Sequence, residues 1–235
     1  MRLDNFLLKK GYVQSRTKAQ EIIKESLVSV DGTVVSKSSY KLVGDEKIDI
    51  AQYKRFVSRS AHKLDKFLDE IDIDLDGMIG LDIGSSTGGF TQVLLQKGVK
   101  EVSAVDVGKG QLDKSLKDDK RVLSYESCDI RDFRVEKCFD IVTSDVAFIS
   151  LHYILDDIDR LASKHIILLF KPQFEVGRGV KRDKNGVVLD KKSIQKAMIK
   201  FEDACGLKGW SLIKKSPSQL AGKGGNIEYC YYYKK

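Results

Sequence analysis

Apolar residues in the first fifty positions follow a helical spacing and then a strand spacing. They recur every three or four positions over residues 3–7 and 19–23, and Ser15 stands where it can cap the second helix. Two β-rich runs then flank Asp31-Gly32, a dipeptide that favours a tight hairpin turn because both positions tolerate positive φ. Residues 48–50 can add a further strand. We therefore expect a small α+β unit over residues 1–55.

From residue 77 onward, short apolar runs alternate with segments of helical spacing. The predicted strands cover residues 78–83, 101–105, 121–125, 139–143, 165–170, 210–214 and 227–233, and the predicted helices cover residues 90–96, 149–162 and 191–204. Strands that alternate with helices are typical of a doubly wound, mostly parallel sheet. The sequence therefore predicts an α/β domain over residues 77–235, with a polar, basic loop at residues 177–187.

A basic segment with two aromatic residues separates the two patterns. We interpret residues 51–63 as a connector, and residues 64–75 continue with the apolar spacing of a helix. Residues 56–76 are therefore expected to form a basic connector and leading helix between the two domains.

Composition places the chain among globular proteins, with 42% hydrophobic and 32% charged residues in a length of 235. The first ten residues lack the apolar core of a secretory signal, and the aliphatic run at 166–170 is far shorter than the roughly 20 residues of a membrane span. The four cysteines form no CxxC pair, and His62, His152 and His165 lack metal-ligand spacing. We expect a cytoplasmic protein with reduced thiols and no metal site.

Positive charge is concentrated at both ends of the chain, around an acidic middle. Residues 171–235 hold fifteen Lys/Arg and six Asp/Glu, whereas residues 67–170 hold twelve and twenty. Clustered cations attract nucleic-acid phosphates through counterion release, although a solvated lysine-rich surface gives the same count. Charge alone leaves both interpretations open.

The segment LDIGSSTGGF, residues 81–90, lies where the first strand of the predicted sheet turns into a helix. Glycines there let the backbone approach a ligand beside the helix N-terminus. The spacing is not GxGxxG and no P-loop lysine follows, which disfavours a dinucleotide or a nucleoside triphosphate. Asp82 would repel a pyrophosphate but suits a cation, and S-adenosylmethionine carries both a sulfonium and an ammonium group.

Two further acids follow the next predicted strands. Asp106 can accept hydrogen bonds from both ribose hydroxyls of an adenosine, and Asp129 can accept from an adenine amino group. Each acid alone is better explained as a helix cap or a turn residue, but three at successive strand ends beside a glycine loop favour a cofactor site. The expected cofactor-binding residues are Asp82, Gly84, Ser85, Ser86, Thr87, Gly88, Gly89, Phe90, Asp106, Val107, Asp129 and Ile130.

Five motifs in this order resemble the TlyA family of rRNA 2′-O-methyltransferases, whose members are often named haemolysins. They are FVSRSAHKL at residues 56–64, LDIGSSTGGF at 81–90, VDVGKGQL at 105–112, SDVAFISL at 144–151 and FKPQFEVG at 170–177. Residues 2–4, 11–20 and 30–32 are similar to a small RNA-binding fold first seen in a ribosomal small-subunit protein. The resemblance implies a seven-stranded, Rossmann-like and FtsJ-like methyltransferase domain that uses S-adenosylmethionine.

The same resemblance implies a catalytic set of Lys63, Asp145, Lys171 and Glu228 around the target hydroxyl. Family members usually have glycine where this chain has Ser60. A lysine acts as a base only where burial or neighbouring positive charge lowers its pKa, and two lysines in one site supply such charge. We therefore expect Lys171 to take the proton, Asp145 to orient it, and Lys63 and Glu228 to position the reactants.

We expect ribosomal RNA to bind along cations of the N-terminal unit and the connector. These are Lys9, Lys10, Arg16, Lys18, Lys54, Arg55 and Arg59. The 23S rRNA of the large subunit is the first expected substrate, because the short termini resemble members that modify that subunit alone, and 16S rRNA is the second. Tyr229 and residues 231–233 can stack on bases but fit better as half-buried packing residues of a last strand.

Three other functions stay open at this point. A chain that had lost catalysis would serve as an RNA-binding or ribosome-assembly factor, although the complete set of four catalytic residues argues against that. A membrane-active haemolysin has no support from a long apolar segment or a repeated amphipathic strand pattern. Transfer RNA or a messenger cap would be alternative methylation substrates.

Overall fold

The chain divides into two units, residues 1–55 and 56–235, of which the computed structural model describes residues 1–24, 26–50, 56–222 and 224–235. The elements of the first unit are α1 (Leu3–Lys9), α2 (Arg16–Lys24), β1 (Val28–Val30), β2 (Thr33–Val34) and β3 (Ile48–Ile50). The strands have the order β2-β1-β3, and both pairs are antiparallel.

Local interactions in the first unit confirm the predicted cap and the predicted turn. Ser15 Oγ accepts a hydrogen bond from Lys18 N at 3.1 Å, at the start of α2. Asp31 and Gly32 have φ values of 49° and 78°, as a tight turn between β1 and β2 requires. The helices and the sheet bury a shared core of Leu3, Leu7, Ala19, Ile22, Ile23, Val28, Val30, Val35 and Leu42.

The second unit follows the predicted alternation of strands and helices. In chain order its elements are α3 (Arg59–Leu68), β4 (Ile79–Ile83), α4 (Gly89–Gln96), β5 (Glu101–Val105), α5 (Lys114–Lys117), β6 (Val122–Tyr125), β7 (Phe139–Ser144), α6 (Leu155–Leu161), β8 (Ala162–Phe170), α7 (Pro172–Glu175), α8 (Lys191–Leu207), β9 (Ser211–Pro217) and β10 (Tyr229–Lys234). A 3-10 turn, Leu151–Tyr153, precedes α6.

Seven strands form one sheet in the order β6-β5-β4-β7-β8-β10-β9. The pairs among β6, β5, β4, β7 and β8 are parallel, whereas β10 is antiparallel to both of its neighbours. This confirms the predicted doubly wound, mostly parallel sheet. Because the strand order reverses between β4 and β7, the carboxyl ends of these strands mark the crevice where such folds bind ligands.

Several predicted boundaries are wrong. The helix expected to continue over residues 64–75 ends at Leu68. Helix α3 begins at Arg59, inside the expected connector. The predicted helix over residues 149–162 is a 3-10 turn followed by α6, and Ala162 already begins β8. The last strand begins at Tyr229, which leaves Glu228 in the preceding loop. Apolar spacing does not distinguish a buried strand from a buried helix end, so these junctions are not visible in the sequence.

The tyrosines of β10 are more deeply buried than expected. Tyr231, Tyr232 and Tyr233 are at most 1% exposed, because β10 lies between two other strands and both faces of the sheet are covered. The rings of Tyr231 and Tyr233 stack at 5.9 Å in one core layer, and Tyr232 lies in the other. They therefore have no surface on which an RNA base can stack.

Candidate active site

The four side chains expected to be catalytic line one cavity of about 660 Å³. Asp145 directly follows β7, and Lys171 directly follows the neighbouring parallel strand β8. Lys63 lies on α3, and Glu228 directly precedes β10. The fold therefore brings together side chains that lie up to 165 positions apart in the chain.

These four side chains form two ion pairs. Lys171 Nζ lies 2.6 Å from Asp145 Oδ1, and Lys63 Nζ lies 2.5 Å from Glu228 Oε2. Lys171 Nζ also donates to the backbone carbonyl of Asp145 at 3.3 Å. The side chains are at most 14% exposed, so water screens the charges poorly and each charge depends on its partner.

Burial dominates the electrostatics of Asp145. It raises the pKa of this carboxyl above its usual value, while attraction to Lys171 and Lys63 opposes the rise. Two cations and two anions balance each other in the cavity. A carboxyl whose pKa is raised can take up the proton of a neighbouring lysine, which leaves a neutral amine able to accept a proton from a hydroxyl.

A second cavity, of about 280 Å³, adjoins the first. Residues that line both cavities are Gly84, Ser86, Asp145, Ala147 and Phe148. The remaining walls of the second cavity include Val105, Asp106, Val107, Cys128, Asp129, Ile130, Ile149 and Ile154. Apolar walls suit a flat aromatic ring and the two carboxylates suit hydroxyl or amino donors, so this cavity has the character of a nucleoside site.

The two carboxylates of the second cavity differ in how far they are already engaged. Asp106 accepts hydrogen bonds from Ser86 N at 2.8 Å and from Gly108 N at 2.7 Å, one on each oxygen. A lone pair remains on each oxygen for a ligand. Asp129 accepts from the guanidinium of Arg131 at 2.6 and 3.0 Å, which holds the pKa of this carboxyl below its usual value. A ligand donor would therefore share Asp129 with Arg131.

Asp82 lies beneath the glycine loop and has no exposed surface. Its Oδ2 accepts hydrogen bonds from Thr91 N at 2.9 Å and Thr91 Oγ1 at 2.7 Å, and its Oδ1 accepts from Thr143 Oγ1 at 3.2 Å. Burial raises the pKa of Asp82 to about 6, although these hydrogen bonds oppose the rise. The carboxyl thus ties α4 to β4 and β7, and it lies at the wall of the larger cavity.

The glycines of the loop serve different purposes. Gly84 has a φ of +77° and lines both cavities, and a Cβ there would lie 3.2 Å from the backbone of Val146. Gly88 and Gly89 line neither cavity. A Cβ on Gly88 would lie 2.2 Å from Leu116 Cδ1, and one on Gly89 would lie 2.0 Å from Ser58 Oγ. These two glycines permit close packing, and a contact of either with the cofactor stays a prediction.

Comparison with known proteins accounts for both units. Residues 56–235 match the FtsJ-like methyltransferase family, and residues 1–48 match the S4 domain. A 23S rRNA (cytidine-2′-O)-methyltransferase TlyA from Campylobacter jejuni is 44% identical over 226 residues, which cover 96% of this chain and 84% of that protein. The chain belongs to the TlyA family.

Other members of the TlyA family agree with this assignment. A 16S/23S rRNA (cytidine-2′-O)-methyltransferase TlyA from Mycobacterium tuberculosis is 36% identical and covers 97% of this chain and 87% of that protein. A hemolysin-named structure from Streptococcus thermophilus is 33% identical, has a TM-score of 0.72, and covers 100% of this chain and 88% of that chain. Within the described residues of this chain, no helix combines the length and the apolar character that crossing a membrane requires.

The cations expected to bind RNA in this TlyA-family chain are partly engaged within the first unit. Arg16 Nε donates to Asp4 Oδ2 at 3.1 Å, and Lys18 pairs with Glu21 at 2.9 Å. Lys9 is exposed, and Lys10 is exposed with its Nζ 5.9 Å from the centre of an aromatic ring. In the second unit, Arg59 lines the larger cavity. Lys54 and Arg55 lie outside the described residues.

Several residues of the site were not singled out from the sequence. Gln173 Nε2 donates to Glu228 Oε1 at 3.4 Å. Phe148 is 93% exposed, has a φ of 67°, and packs on Phe174 with ring centres 5.5 Å apart. Phe148, Gln173 and Phe174 all line the larger cavity. They lie in the motifs SDVAFISL and FKPQFEVG, so these motifs are the feature of the sequence that indicates them.

Proposed function

We propose that this chain transfers a methyl group from S-adenosylmethionine to the ribose 2′-hydroxyl of a cytidine in ribosomal RNA. The 23S rRNA is the first substrate and 16S rRNA the second, in line with the names of the TlyA relatives. One observation carries the proposal. Two buried lysine–carboxylate pairs line a cavity that adjoins a nucleoside-like cavity at Gly84 and Asp145.

The residues of the smaller cavity fit S-adenosylmethionine. Asp106 has lone pairs for the ribose hydroxyls, and Val107 and Ile130 offer apolar surface to the adenine ring. Gly84 leaves room where the two cavities meet, and Asp82, at the wall of the larger cavity, would supply a buried negative charge for the cationic groups of the cofactor. When bound, the cofactor supplies an electrophilic methyl group.

The residues of the larger cavity then have to hold the ribose hydroxyl and take its proton. We assign the proton to the pair formed by Lys171 and Asp145, because coupled groups titrate together. Burial raises the pKa of Asp145, which makes this carboxyl a better temporary acceptor for a proton of its partner. Lys63 and Glu228 position the hydroxyl and are themselves fixed by their ion pair and by Gln173.

Cations of the S4 unit supply RNA affinity in this proposal. Lys9 and Lys10 are exposed, and lysines that contact phosphates position an RNA without reading its sequence. Replacing both by glutamine is expected to weaken binding to ribosomal RNA and to reduce the dependence of affinity on salt. Unchanged affinity and salt dependence would remove these two lysines from the RNA contact.

The proposal is tested by incubating the protein and labelled S-adenosylmethionine with separated ribosomal subunits that lack the modification. We expect label in the large-subunit RNA, at a cytidine that resists alkaline cleavage on its 3′ side. Label in a base, in protein or nowhere would contradict the proposal. RNA binding without any transfer would instead support a catalytically silent assembly factor.

A further inference from the structure

The loop over residues 145–150, here called the wall loop, is shared by the two cavities. Val146 and Ile149 line the smaller cavity, and Ala147 and Phe148 line both. Asp145, at the start of the loop, belongs to the ion pair of the larger cavity. A displacement of this loop would therefore change the cofactor cavity and the reacting set at the same time.

The wall loop contains backbone strain that its surroundings have to hold. Phe148 has a φ of 67°, in the left-handed region that residues with a side chain rarely adopt. Its ring is 93% exposed, so burial of the ring does little to fix this conformation. The conformation of the loop depends on contacts with neighbouring elements.

Besides the hydrogen bond from Asp145 N to Ile83 O at 3.1 Å, three contacts along the loop go to residues 171–175, which contain α7. At the start of the wall loop Asp145 pairs with Lys171 at 2.6 Å. At its tip Phe148 packs on Phe174. At its end, the loop is held by Glu175, which binds Ser150 and the first residue of the 3-10 turn that follows.

Glu175 is a partly buried carboxylate that binds the end of the wall loop with both oxygens. Its Oε2 accepts a hydrogen bond from Ser150 Oγ at 2.5 Å, and its Oε1 accepts from Leu151 N at 2.9 Å. Burial raises the pKa of Glu175 while these two hydrogen bonds oppose the rise. Among the described residues no cation forms an ion pair with it. Its two hydrogen bonds therefore hold the end of the wall loop and the start of the following 3-10 turn.

We propose that Glu175 is a positioning residue that couples cofactor binding to the alignment of Asp145 and Lys171, by fixing the wall loop between the two cavities. This inference rests on the proposed function, since it assigns S-adenosylmethionine to the smaller cavity. It gives Glu175 no contact with the reacting atoms. The coupling passes through the loop, because Asp145 and the part of the smaller cavity's wall formed by residues 146–149 belong to one continuous stretch of backbone.

The inference is tested by measuring the Kd for S-adenosylhomocysteine by calorimetry, together with kcat and KM for ribosomal RNA. Glu175→Ala leaves the hydroxyl of Ser150 and the N–H of Leu151 without an acceptor, so we expect the Kd to rise about tenfold, and kcat to fall by at least as much. Glu175→Gln keeps an acceptor for Leu151 N and a donor for Ser150 Oγ, so it should restore the Kd to within about threefold of wild type.

Asp190→Ala is the matched control for a general loss of stability. Asp190 also accepts backbone hydrogen bonds at a helix start, from Lys192 N and Ser193 N, but it lines neither cavity. We expect this variant to lose stability to a similar degree and to bind the cofactor product like wild type. Ser150→Ala removes one of the two hydrogen bonds to Glu175 and should raise the Kd by a smaller factor. This variant replaces Glu175→Ala in the test if Glu175→Ala does not fold.

Two results would overturn the inference. One is a Kd and a kcat of Glu175→Ala or Ser150→Ala equal to those of wild type, and the other is an equal rise in Kd for Asp190→Ala. If wild-type protein itself binds no S-adenosylhomocysteine, the proposed function fails as well, and this outcome is distinguishable because it appears without any substitution.

Discussion

Lys171 Nζ lies 2.6 Å from Asp145 Oδ1, at the carboxyl ends of two neighbouring parallel strands. The two side chains are 11% and 14% exposed, so their charges meet in a poorly screened environment. Parallel pairing of β7 and β8 brings the two residues to the same edge of the sheet. This pair is the part of the site on which the chemistry of the proposed function depends most.

Replacing Lys171 by methionine is expected to abolish methyl transfer and to leave cofactor affinity nearly unchanged. The substitution removes the group that we assign to the hydroxyl proton, but Lys171 does not line the smaller cavity. Single-turnover transfer and calorimetric binding of S-adenosylhomocysteine check both parts. Lys164→Met is the matched control, because Lys164 lies on the same strand and pairs with Asp140 at 2.9 Å on the surface. Transfer at the wild-type rate by Lys171→Met would remove this lysine from the reaction.

The pair of Lys63 and Glu228 is expected to behave as a unit in stability measurements. Lys63→Met or Glu228→Gln alone leaves one buried charge without its partner, which lowers the free energy of unfolding by about 3–5 kcal/mol in comparable cases. The double variant has neither charge and should recover most of that loss, while methyl transfer stays impaired in all three. Urea unfolding of the four proteins gives the coupling energy. Additive losses in the double variant would show that the two side chains do not interact.

Asp82 is expected to make stability depend on pH. Its pKa is raised from 3.8 to about 6 in the folded chain, so the folded state binds the proton more tightly than the unfolded state. Stability from this group is therefore full below about pH 4 and is lost as the pH rises towards 6, by up to about 3 kcal/mol. Asp82→Asn lacks this titration. The difference in unfolding free energy between wild type and Asp82→Asn should thus shift in favour of the variant between pH 4 and 7, and a constant difference would contradict the assignment.

Gly89→Ala is expected to destabilise the chain and to displace α3. The added Cβ would lie 2.0 Å from Ser58 Oγ and 3.0 Å from Ala61 N, so α3 has to move away from α4, with a loss of about 1–3 kcal/mol. Lys63 lies on α3, so methyl transfer should fall as well. Gly206→Ala in α8 is the control, because nothing lies within 4 Å of its Cβ. If Gly89→Ala and Gly206→Ala unfold at the same temperature, close packing is not the reason for glycine at position 89.

The sequence allowed the fold to be predicted further than the site. The apolar runs of β4, β5, β7 and β8 are long enough to be recognised as strands, and the segments of helical spacing among them indicate parallel pairing. The catalytic set was available only through the family resemblance, since Glu228 follows Lys63 by 165 positions and no local spacing joins them. The packing of Gly88 and Gly89 depends on side chains of α3 and α5 that become their neighbours only in the folded chain.

Other features could not be predicted because they depend on short elements or on contacts between distant residues. Helices α5 and α7 have four residues each, which is less than the window in which helical periodicity can be recognised. Glu175 and Ser150 meet across 25 positions, and either residue alone reads as an ordinary polar side chain. The full burial of Tyr232 follows from the interior place of β10 in the sheet, which the strand pattern does not specify.

The central claim is tested most directly by quantifying 2′-O-methylcytidine in ribosomal RNA after reaction with the purified protein. Unmodified large subunits are incubated with S-adenosylmethionine and either wild type or Lys171→Met, and the RNA is digested to nucleosides for mass spectrometry. The proposed function predicts close to one 2′-O-methylcytidine per large subunit with wild type and none with the variant. No methylated cytidine with wild type, or equal amounts with both proteins, would contradict it.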